Sequence, residues 1–171
     1  MNIITKDNIV LKTSDISELN DLNNIYGEVC EYFSFDKNHQ ITSPKDCITK
    51  GDLPPNGSKD NFEMLSIYDN NELIGFITLY KGFPSDEILY ICFMYIASKN
   101  RCNGNGYSIV NSISSYFKDR NFKSIRISVS LKNWYGIRFW NKCGFSLLTM
   151  VDIEGSFSDD NYGCLELEKT L

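Results

Sequence analysis

The stretch that decides the fold is residues 88–106, ILYICFMYIASKNRCNGNG, which joins a long apolar run to a glycine-rich loop. Residues 88–96 are almost continuously apolar, a pattern typical of a central strand that is covered on both faces of its sheet. The loop that follows reads Arg101-Cys102-Asn103-Gly104-Asn105-Gly106, and apolar residues recur at helical spacing beyond it. The order strand, loop and helix predicts a junction where the first N–H groups of the helix lack partners and point outward.

The hydrophobic periodicity of the remaining chain predicts a mixed α+β fold. Helices are expected at residues 16–33, 44–50, 106–121 and 134–143, and Ser14 or Asp15 is expected to cap the first of them. Strands are expected at residues 9–11, 62–68, 73–80, 88–96, 124–131, 147–153 and 163–167. The order of elements predicts one twisted mixed sheet of about six to seven strands, flanked on both sides by about four helices. Because no repeat or linker is visible, residues 1–171 are predicted to form a single domain.

Composition places the chain among globular proteins, with 42% apolar and 23% charged residues over a length of 171. The formal net charge is −5 and no basic run occurs, which argues against a nucleic-acid partner, because such partners are bound through their phosphates. A cationic amine would suit this charge better, although solubility alone also explains it.

The spacing of the cysteines indicates whether a metal site is expected, and hydropathy indicates where the protein is located. The six cysteines form no Cys-x-x-Cys pair and no close Cys/His set, so no metal site is expected. Residues 1–11 carry charges that a signal peptide lacks, and no apolar run reaches the length of a membrane span. These features predict a cytoplasmic protein with reduced thiols and no membrane partner.

The glycine-rich loop is chemically suited to hold a phosphate group. Glycines let an anion approach the backbone without interference from a Cβ atom, and the helix dipole favours negative charge at this end. Arg101 could add a charge-assisted contact. Plain turn chemistry explains the run equally well. The phosphate-binding loop of nucleotide hydrolases fits poorly, because Tyr107 and Ser108 stand where it needs Lys and Ser or Thr. A Rossmann fingerprint fits poorly as well, because Ile109 stands where its third small residue belongs.

Two motifs together resemble the GNAT acetyltransferase superfamily. The loop at 101–106 is similar to the superfamily's central motif, Arg/Gln-x-x-Gly-x-Gly/Ala after a buried strand. A second stretch, Asn133-x-x-Gly136-x-x-Phe139-Trp140-x-Lys142-x-Gly144-Phe145, is similar to its later signature, in which an Asn opens a helix that ends in Lys-x-Gly-Phe. The two motifs occur in the right order, one helix and one strand apart, so the pair is more specific than either motif alone. The resemblance implies a GNAT-like sheet whose two central strands splay apart.

The resemblance also implies where acetyl-CoA, as co-substrate, would bind. An acetyl-CoA-binding core is expected at about residues 62–145 and an acceptor-side region at about residues 14–60. The pantetheine arm would lie between strands 88–96 and 124–131, bonded to backbone groups of the first strand. The residues implied in cofactor binding are Met94, Tyr95, Ile96, Arg101, Cys102, Asn103, Gly104, Asn105, Gly106, Tyr107, Asn133, Gly136, Phe139, Trp140 and Lys142. Asn133 could equally be a plain helix cap, and Gly136 could simply be tolerated.

For catalysis, the resemblance suggests a backbone oxyanion site and a base. The N–H of Tyr95 or Ile96 would meet the negative charge that develops on the thioester oxygen. Glu87, at the start of the central strand, is a candidate base, because some relatives carry a Glu near this position. His39 in the variable front region is a weaker alternative for the same role.

The acid that protonates the leaving thiolate is in doubt, because the pattern departs from the family at Trp140. Many relatives have Tyr there, and an indole N–H can donate a hydrogen bond but cannot deliver a proton. A thiol with a pKa of about 8.5 is nevertheless a tolerable leaving group. Tyr90, Tyr95 and Tyr135 are alternative acids, and Tyr95 is also a candidate catalytic residue, although each of the three could instead serve packing.

The resemblance implies an N-acetyltransferase acting on a primary amine of a small molecule or a peptide, and it leaves a homodimer open. Asp36, Asp46 and Asp52 in the acceptor-side region could receive a cation, or could be ordinary solvated charges. A non-catalytic acyl-CoA-binding or regulatory module with a degenerate position at Trp140 is the alternative function. A nucleotide-binding α/β protein without a CoA role is a third.

Overall fold

A computed structural model describes residues 1–36, 41–156, 158 and 160–171. Their strands form one eight-stranded sheet, in the order β1-β2-β3-β4-β5-β6-β8-β7. The strands are β1 Asn2–Ile4, β2 Val10–Thr13, β3 Phe62–Asp69, β4 Glu72–Lys81, β5 Ile88–Ile96, β6 Ser124–Ser130, β7 Leu147–Ile153 and β8 Gly163–Thr170. The α-helices are α1 Leu19–Tyr32, α2 Pro44–Thr49, α3 Asn105–Lys118 and α4 Trp134–Lys142.

All neighbouring strands of the sheet pair antiparallel except β5 and β6, which are parallel. A parallel pair needs a crossover connection, and here α3 supplies it. The glycine-rich loop therefore lies where the chain leaves the carboxyl end of β5. This topology confirms the predicted mixed α+β class, with slightly more strands than expected.

The helices cover both faces of the sheet, as predicted. β4 shows how one strand serves two cores: Ile77 and Leu79 pack with α3 and α4, whereas Phe76 and Tyr80 pack with α1 and α2. Successive residues of a strand point to opposite faces, so an apolar strand of this kind contributes to both clusters. The sheet is thereby buried on both sides at its centre.

Helix starts follow the capping chemistry that the sequence predicts. Asp15 accepts a hydrogen bond from the Ser17 N–H at 2.8 Å, while Glu18 accepts one from the Asp15 N–H at 2.9 Å. This reciprocal box opens a single 3₁₀ turn, which runs into α1. α2 begins with Pro44 after the cap Ser43, a position at which the missing proline N–H costs nothing.

The structure differs from the predicted elements mainly at the edges. β1 was not expected, because a strand of three residues is too short to show a periodic pattern in the sequence. Only one of its side chains, Ile3, is buried. At the other edge β7 occupies the predicted range, yet Leu147, Leu148, Met150, Val151 and Ile153 on it are exposed. No helix in the described ranges is both long and apolar enough to cross a membrane. His39 lies outside the described residues.

Candidate active site

The two central strands part halfway along their length. β5 and β6 pair only from Ile88 and Ser124 to Ile91 and Ile127. Beyond these residues β5 stays bonded to β4 as far as Ile96, while β6 stays bonded to β8 as far as its end. The carboxyl halves of β5 and β6 therefore diverge, which confirms the predicted splay and leaves one edge of β5 free.

The hydrogen-bond phase of β5 decides which backbone groups face this gap. Ala97 N–H donates to the Ile74 carbonyl of β4 at 2.7 Å. Because backbone groups of an antiparallel pair alternate in direction, Tyr95 also bonds to β4, whereas the N–H and C=O of Met94 and Ile96 point away from β4 into the gap. The expectation that the backbone of Tyr95 serves the gap is therefore corrected.

Arg101 is held against aromatic rings at the end of β5. Its Nε donates to the Ile96 carbonyl at 2.7 Å, and its guanidinium carbon lies 4.8 Å from the ring centre of Tyr32 and 4.4 Å from that of Tyr95. Such stacking over aromatic faces holds a guanidinium in place. The side chain is thus directed toward α1, so the expected contact between Arg101 and a phosphate at the loop is not supported.

Tyr95 is a packing residue on the α1 side of the sheet. Its side chain is 6% exposed, and its ring meets that of Tyr32 edge-on at 6.1 Å. Burial raises the pKa of its phenol, and nearby Arg101 opposes the rise only in part. The structure thus gives Tyr95 a packing role, and its candidate catalytic role stays a prediction.

The loop presents a row of free backbone donors. Cys102 and Gly104 adopt left-handed conformations, with φ of 63° and 87°, and α3 begins directly afterwards. Among the residues that the structure describes, none accepts a hydrogen bond from the N–H groups of residues 102–107. The first paired N–H is that of Ser108, which donates to the Gly104 carbonyl at 3.0 Å. Left-handed turns and helix starts of this kind form anion-binding concavities.

Glycine is required at positions 104 and 106 for two different physical reasons. A Cβ added at Gly104 would meet nothing within 4 Å, so Gly104 is needed for its positive φ alone. A Cβ at Gly106 would lie 2.9 Å from Cε2 of Phe139. Gly106 therefore serves the contact between α3 and α4, while Gly104 leaves open space above the loop.

Asn133 joins α1 and α4 at the open end of the gap. Its Oδ1 accepts the Gly136 N–H at 2.9 Å, which caps α4, and also accepts the Tyr32 hydroxyl of α1 at 3.3 Å. A Cβ at Gly136 would approach the Asn133 side chain to 2.5 Å, so the small residue there accommodates the cap. The amide Nδ2 of Asn133 has no acceptor among the described residues, so it remains available to a ligand.

Trp140 and Lys142 both lie on α4. Trp140 is 9% exposed and packs edge-on against Phe139 at 5.0 Å and Phe145 at 5.1 Å, inside the core shared with α3. Lys142 is exposed in the last turn of α4, where a cation suits the helix dipole. Trp140 thus has a packing role and Lys142 a place at the end of the helix, and their contacts with the cofactor stay predictions.

The acid–base candidates are dispersed. Glu87 is exposed and precedes the paired end of β5, four residues before Ile91 or ~13 Å along the strand, so it does not reach the point where the gap begins. The Tyr90 hydroxyl donates to Glu166 at 3.3 Å, and burial raises its pKa above the ordinary value. Tyr135 is 78% exposed. None of these three is brought together with the loop.

The three acceptor-side carboxylates have different surroundings. Asp36 is 2% exposed, accepts the Ser130 hydroxyl at 2.6 Å and lies 3.6 Å from Lys132 Nζ, so it ties the end of α1 to the end of β6. Asp46 pairs with Lys50 at 2.9 Å. Asp52 is exposed and forms no ion pair within the described ranges. The sequence did not predict a role for Tyr32 or Ser130. Only the tertiary fold brings Tyr32 to Asn133 and Ser130 to Asp36.

The fold and the loop are those of a known class of acyl-transferring enzymes. Over residues 22–145, most of its length, the chain matches the model of the acetyltransferase (GNAT) family. The chain belongs to this family and is an acetyl-CoA-dependent acyltransferase. No curated protein sequence matches it significantly.

Solved structures show the same fold at low identity. A RimL ribosomal L7/L12 alpha-N-protein acetyltransferase in complex with coenzyme A gives a TM-score of 0.76 at 12% identity, over 100% of this chain and 98% of that one. An acetyltransferase from Thermus thermophilus gives 0.72 at 14% identity, over all of both chains. A ribosomal-protein-alanine N-acetyltransferase from Brucella melitensis gives 0.69 at 16%, over 94% and 99%. At such identities the likeness concerns the fold.

Proposed function

We propose that the chain is an N-acetyltransferase that transfers the acetyl group of acetyl-CoA to a primary amine. The observation that carries the proposal is the row of unpaired N–H groups at residues 102–107, next to the free edge of β5. A doubly charged pyrophosphate suits such a row, because each anionic group at a helix start gains about 0.3–1 kcal/mol from the dipole alone.

The residues around the gap fit the rest of the co-substrate. The N–H and C=O of Met94 and the N–H of Ile96, which point into the gap, would hold the amides of the pantetheine arm, whereas the Ile96 carbonyl is already bonded to Arg101. The free Nδ2 of Asn133 offers one more donor from the opposite wall. Acetyl-CoA supplies an acetyl group on a thioester, so this placement would bring the reacting carbon toward Cys92, where the strands begin to part.

The reaction forms a bond between the amine nitrogen and the acetyl carbon and breaks the bond between that carbon and sulfur. A primary ammonium gives an N-acetyl amide and CoA thiol with net release of one proton. Because alkyl amines with a pKa near 10 are largely protonated at neutral pH, the rate should increase with pH as the neutral amine accumulates.

Trp140 bears on the non-catalytic alternative. The Trp140 indole is packed in the core and has no acidic proton to give. The one step that this could affect is protonation of the departing thiolate. A thiol with a pKa of about 8.5 departs without full protonation at neutral pH. The identity of residue 140 therefore gives little support to a module that binds CoA without turnover.

The structural neighbours suggest acceptors to try first, since two of them are named for ribosomal proteins as acceptors. A peptide amino terminus is thus one candidate for this chain, beside a small-molecule amine. A cytoplasmic location and a homodimer stay predictions.

The proposal is tested with purified protein, acetyl-CoA and a panel of primary amines and short peptides. Release of CoA thiol and the mass of the acetylated product are followed together. We expect amine-dependent thiol release and thermal stabilisation by CoA that ATP does not match. Stabilisation by CoA without turnover of any amine would favour the binding module, and equal stabilisation by ATP would favour a nucleotide-binding role.

A further inference from the structure

A small cavity lies under the point where β5 and β6 part, on the face covered by α1 and α2. At this point β5 carries one extra residue: Thr78 of β4 pairs with Phe93 and Leu79 pairs with Ile91, so Cys92 forms a bulge. The bulge directs Cys92 and Phe93 to the same cavity. The cavity therefore adjoins the start of the gap from the side opposite α3 and α4.

The cavity contains a buried polar group that no atom of the described residues satisfies. Thr78 is 1% exposed, and its Oγ1 has no hydrogen-bond partner among the described residues. A buried hydroxyl without a partner loses its hydrogen bonds to water and gains none in return, so such groups are normally satisfied. The hydroxyl can accept one hydrogen bond and donate another to a guest.

Asp52 is the one charged side chain among the described residues that line the cavity, whereas Lys59, whose ammonium donates to the Cys47 carbonyl at 2.8 Å, does not line it. Asp52 has no ion-pair partner within the described ranges, whereas burial raises the pKa values of the Cys47 and Cys92 thiols to about 12. Both thiols are therefore neutral at physiological pH. One carboxylate beside two neutral thiols and a hydroxyl favours a cation over an anion.

The size of the cavity limits what can enter. Its volume is about 70 Å³. A cavity of about 150 Å³ holds a benzene ring, and liquid water occupies about 30 Å³ per molecule, so the space suits an unbranched arm of roughly three or four heavy atoms. The aromatic rings of Phe76 and Phe93 form its apolar wall.

We propose that this cavity binds the acceptor, and that the acceptor is a primary amine on a slender, unbranched aliphatic arm. Asp52 attracts the ammonium form, Thr78 Oγ1 accepts one of its N–H groups, and the bulge at Cys92 sets the amine beside the gap. The inference rests on the proposed N-acetyltransferase function and narrows its substrate class.

The first test compares n-propylamine with 3,3-dimethylbutylamine at saturating acetyl-CoA, because these amines have similar basicity and equally unhindered nitrogens and differ only in branching at the far end of the arm. Each methyl group that does not fit a pocket reduces kcat/KM by about 10- to 200-fold. We therefore expect kcat/KM for the unbranched amine to exceed that for the branched amine by at least about tenfold. Equal rates on the two amines would overturn the assignment of the cavity.

The second test uses Thr78→Val, which keeps the shape of the side chain but removes the hydroxyl. We expect KM for n-propylamine to rise about 5- to 10-fold, the effect of one hydrogen bond, with unchanged affinity for CoA in calorimetry. Thr78→Ser restores the hydroxyl and should restore KM. An unchanged KM in Thr78→Val, with CoA affinity also intact, would overturn the proposal.

The third test addresses the charge at the mouth. Asp52→Asn should raise KM for the amine and remove most of its dependence on ionic strength, because screening acts on the attraction that the carboxylate supplies. Asp60→Asn is the matched control, since Asp60 is exposed on the same segment and does not line the cavity. Equal effects of the two substitutions would contradict a role for Asp52, whereas a wild-type protein that binds CoA but acetylates no amine would overturn the proposed function itself.

Discussion

Gly106 at the start of α3 leaves room for the ring of Phe139 on α4: a Cβ atom there would lie 2.9 Å from Cε2 and 3.0 Å from Cζ of that ring. An aromatic ring in a packed position cannot give way cheaply, so Gly106→Ala should destabilise the protein by about 1–3 kcal/mol in urea unfolding. Phe139→Leu in the same chain should recover part of this loss. If Gly106→Ala instead weakened CoA binding without loss of stability, the glycine would serve ligand approach and not packing.

The hydrogen bond between Tyr32 and Asn133 connects α1 to α4 across the open end of the gap. Asn133→Ala removes this bond and the cap of α4 together, whereas Tyr32→Phe removes only the former. We therefore expect Asn133→Ala to cost about 1 kcal/mol more in unfolding free energy than Tyr32→Phe. In the double variant the loss should fall short of the sum, and full additivity would show that the two side chains do not interact.

Cysteine alkylation should report on occupation of the loop. Cys30 on α1 and Cys102 in the loop are exposed, whereas the raised pKa values of Cys47 and Cys92, about 12, keep these thiols protonated and unreactive at pH 8. Iodoacetamide should therefore modify Cys30 and Cys102 but not Cys47 or Cys92, as judged by mass spectrometry. Saturating CoA should protect Cys102 and leave Cys30 reactive; equal protection of both, or of neither, would argue against binding at the loop.

The rate should rise with pH if the neutral amine is the nucleophile. For an alkyl amine with a pKa near 10, log kcat/KM should increase with a slope of about one between pH 7 and pH 9. The sign follows from the amine, whose reactive form is the deprotonated one. A flat profile would indicate that the chemical step does not limit kcat/KM.

Much of the fold could be predicted because its signals are local. The uninterrupted apolar run of β5 and the alternation of apolar and polar residues in β6 predict strands at 88–96 and 124–131, and the observed bounds, Ile88–Ile96 and Ser124–Ser130, agree within one residue. Between the predicted strands 62–68 and 73–80, Asn70 and Asn71 adopt φ of 48° and 68°, which Asn tolerates in a tight hairpin turn. β1 escaped prediction because three residues carry too little periodicity.

The candidate site was predictable where the backbone alone decides it. The free amides of residues 102–107 follow from a glycine loop that opens a helix, which is a local property. Side-chain roles depend on tertiary placement, which motifs do not encode: Arg101 stacks on Tyr32 and Tyr95, and Glu87 stands at the closed end of β5. Thr78 carried no signal at all, because a threonine inside an apolar strand is typical of an ordinary sheet.

The most direct test of phosphate binding at the loop compares the CoA affinities of Gly104→Asn and Gly104→Asp in calorimetry. Both side chains tolerate the left-handed conformation and extend into open space, so the two variants differ by one negative charge beside the amides of residues 102–107. We predict that Gly104→Asp binds CoA at least about tenfold more weakly than Gly104→Asn, which corresponds to ~1.4 kcal/mol. Equal affinities of the two variants would contradict the binding of the pyrophosphate at this loop.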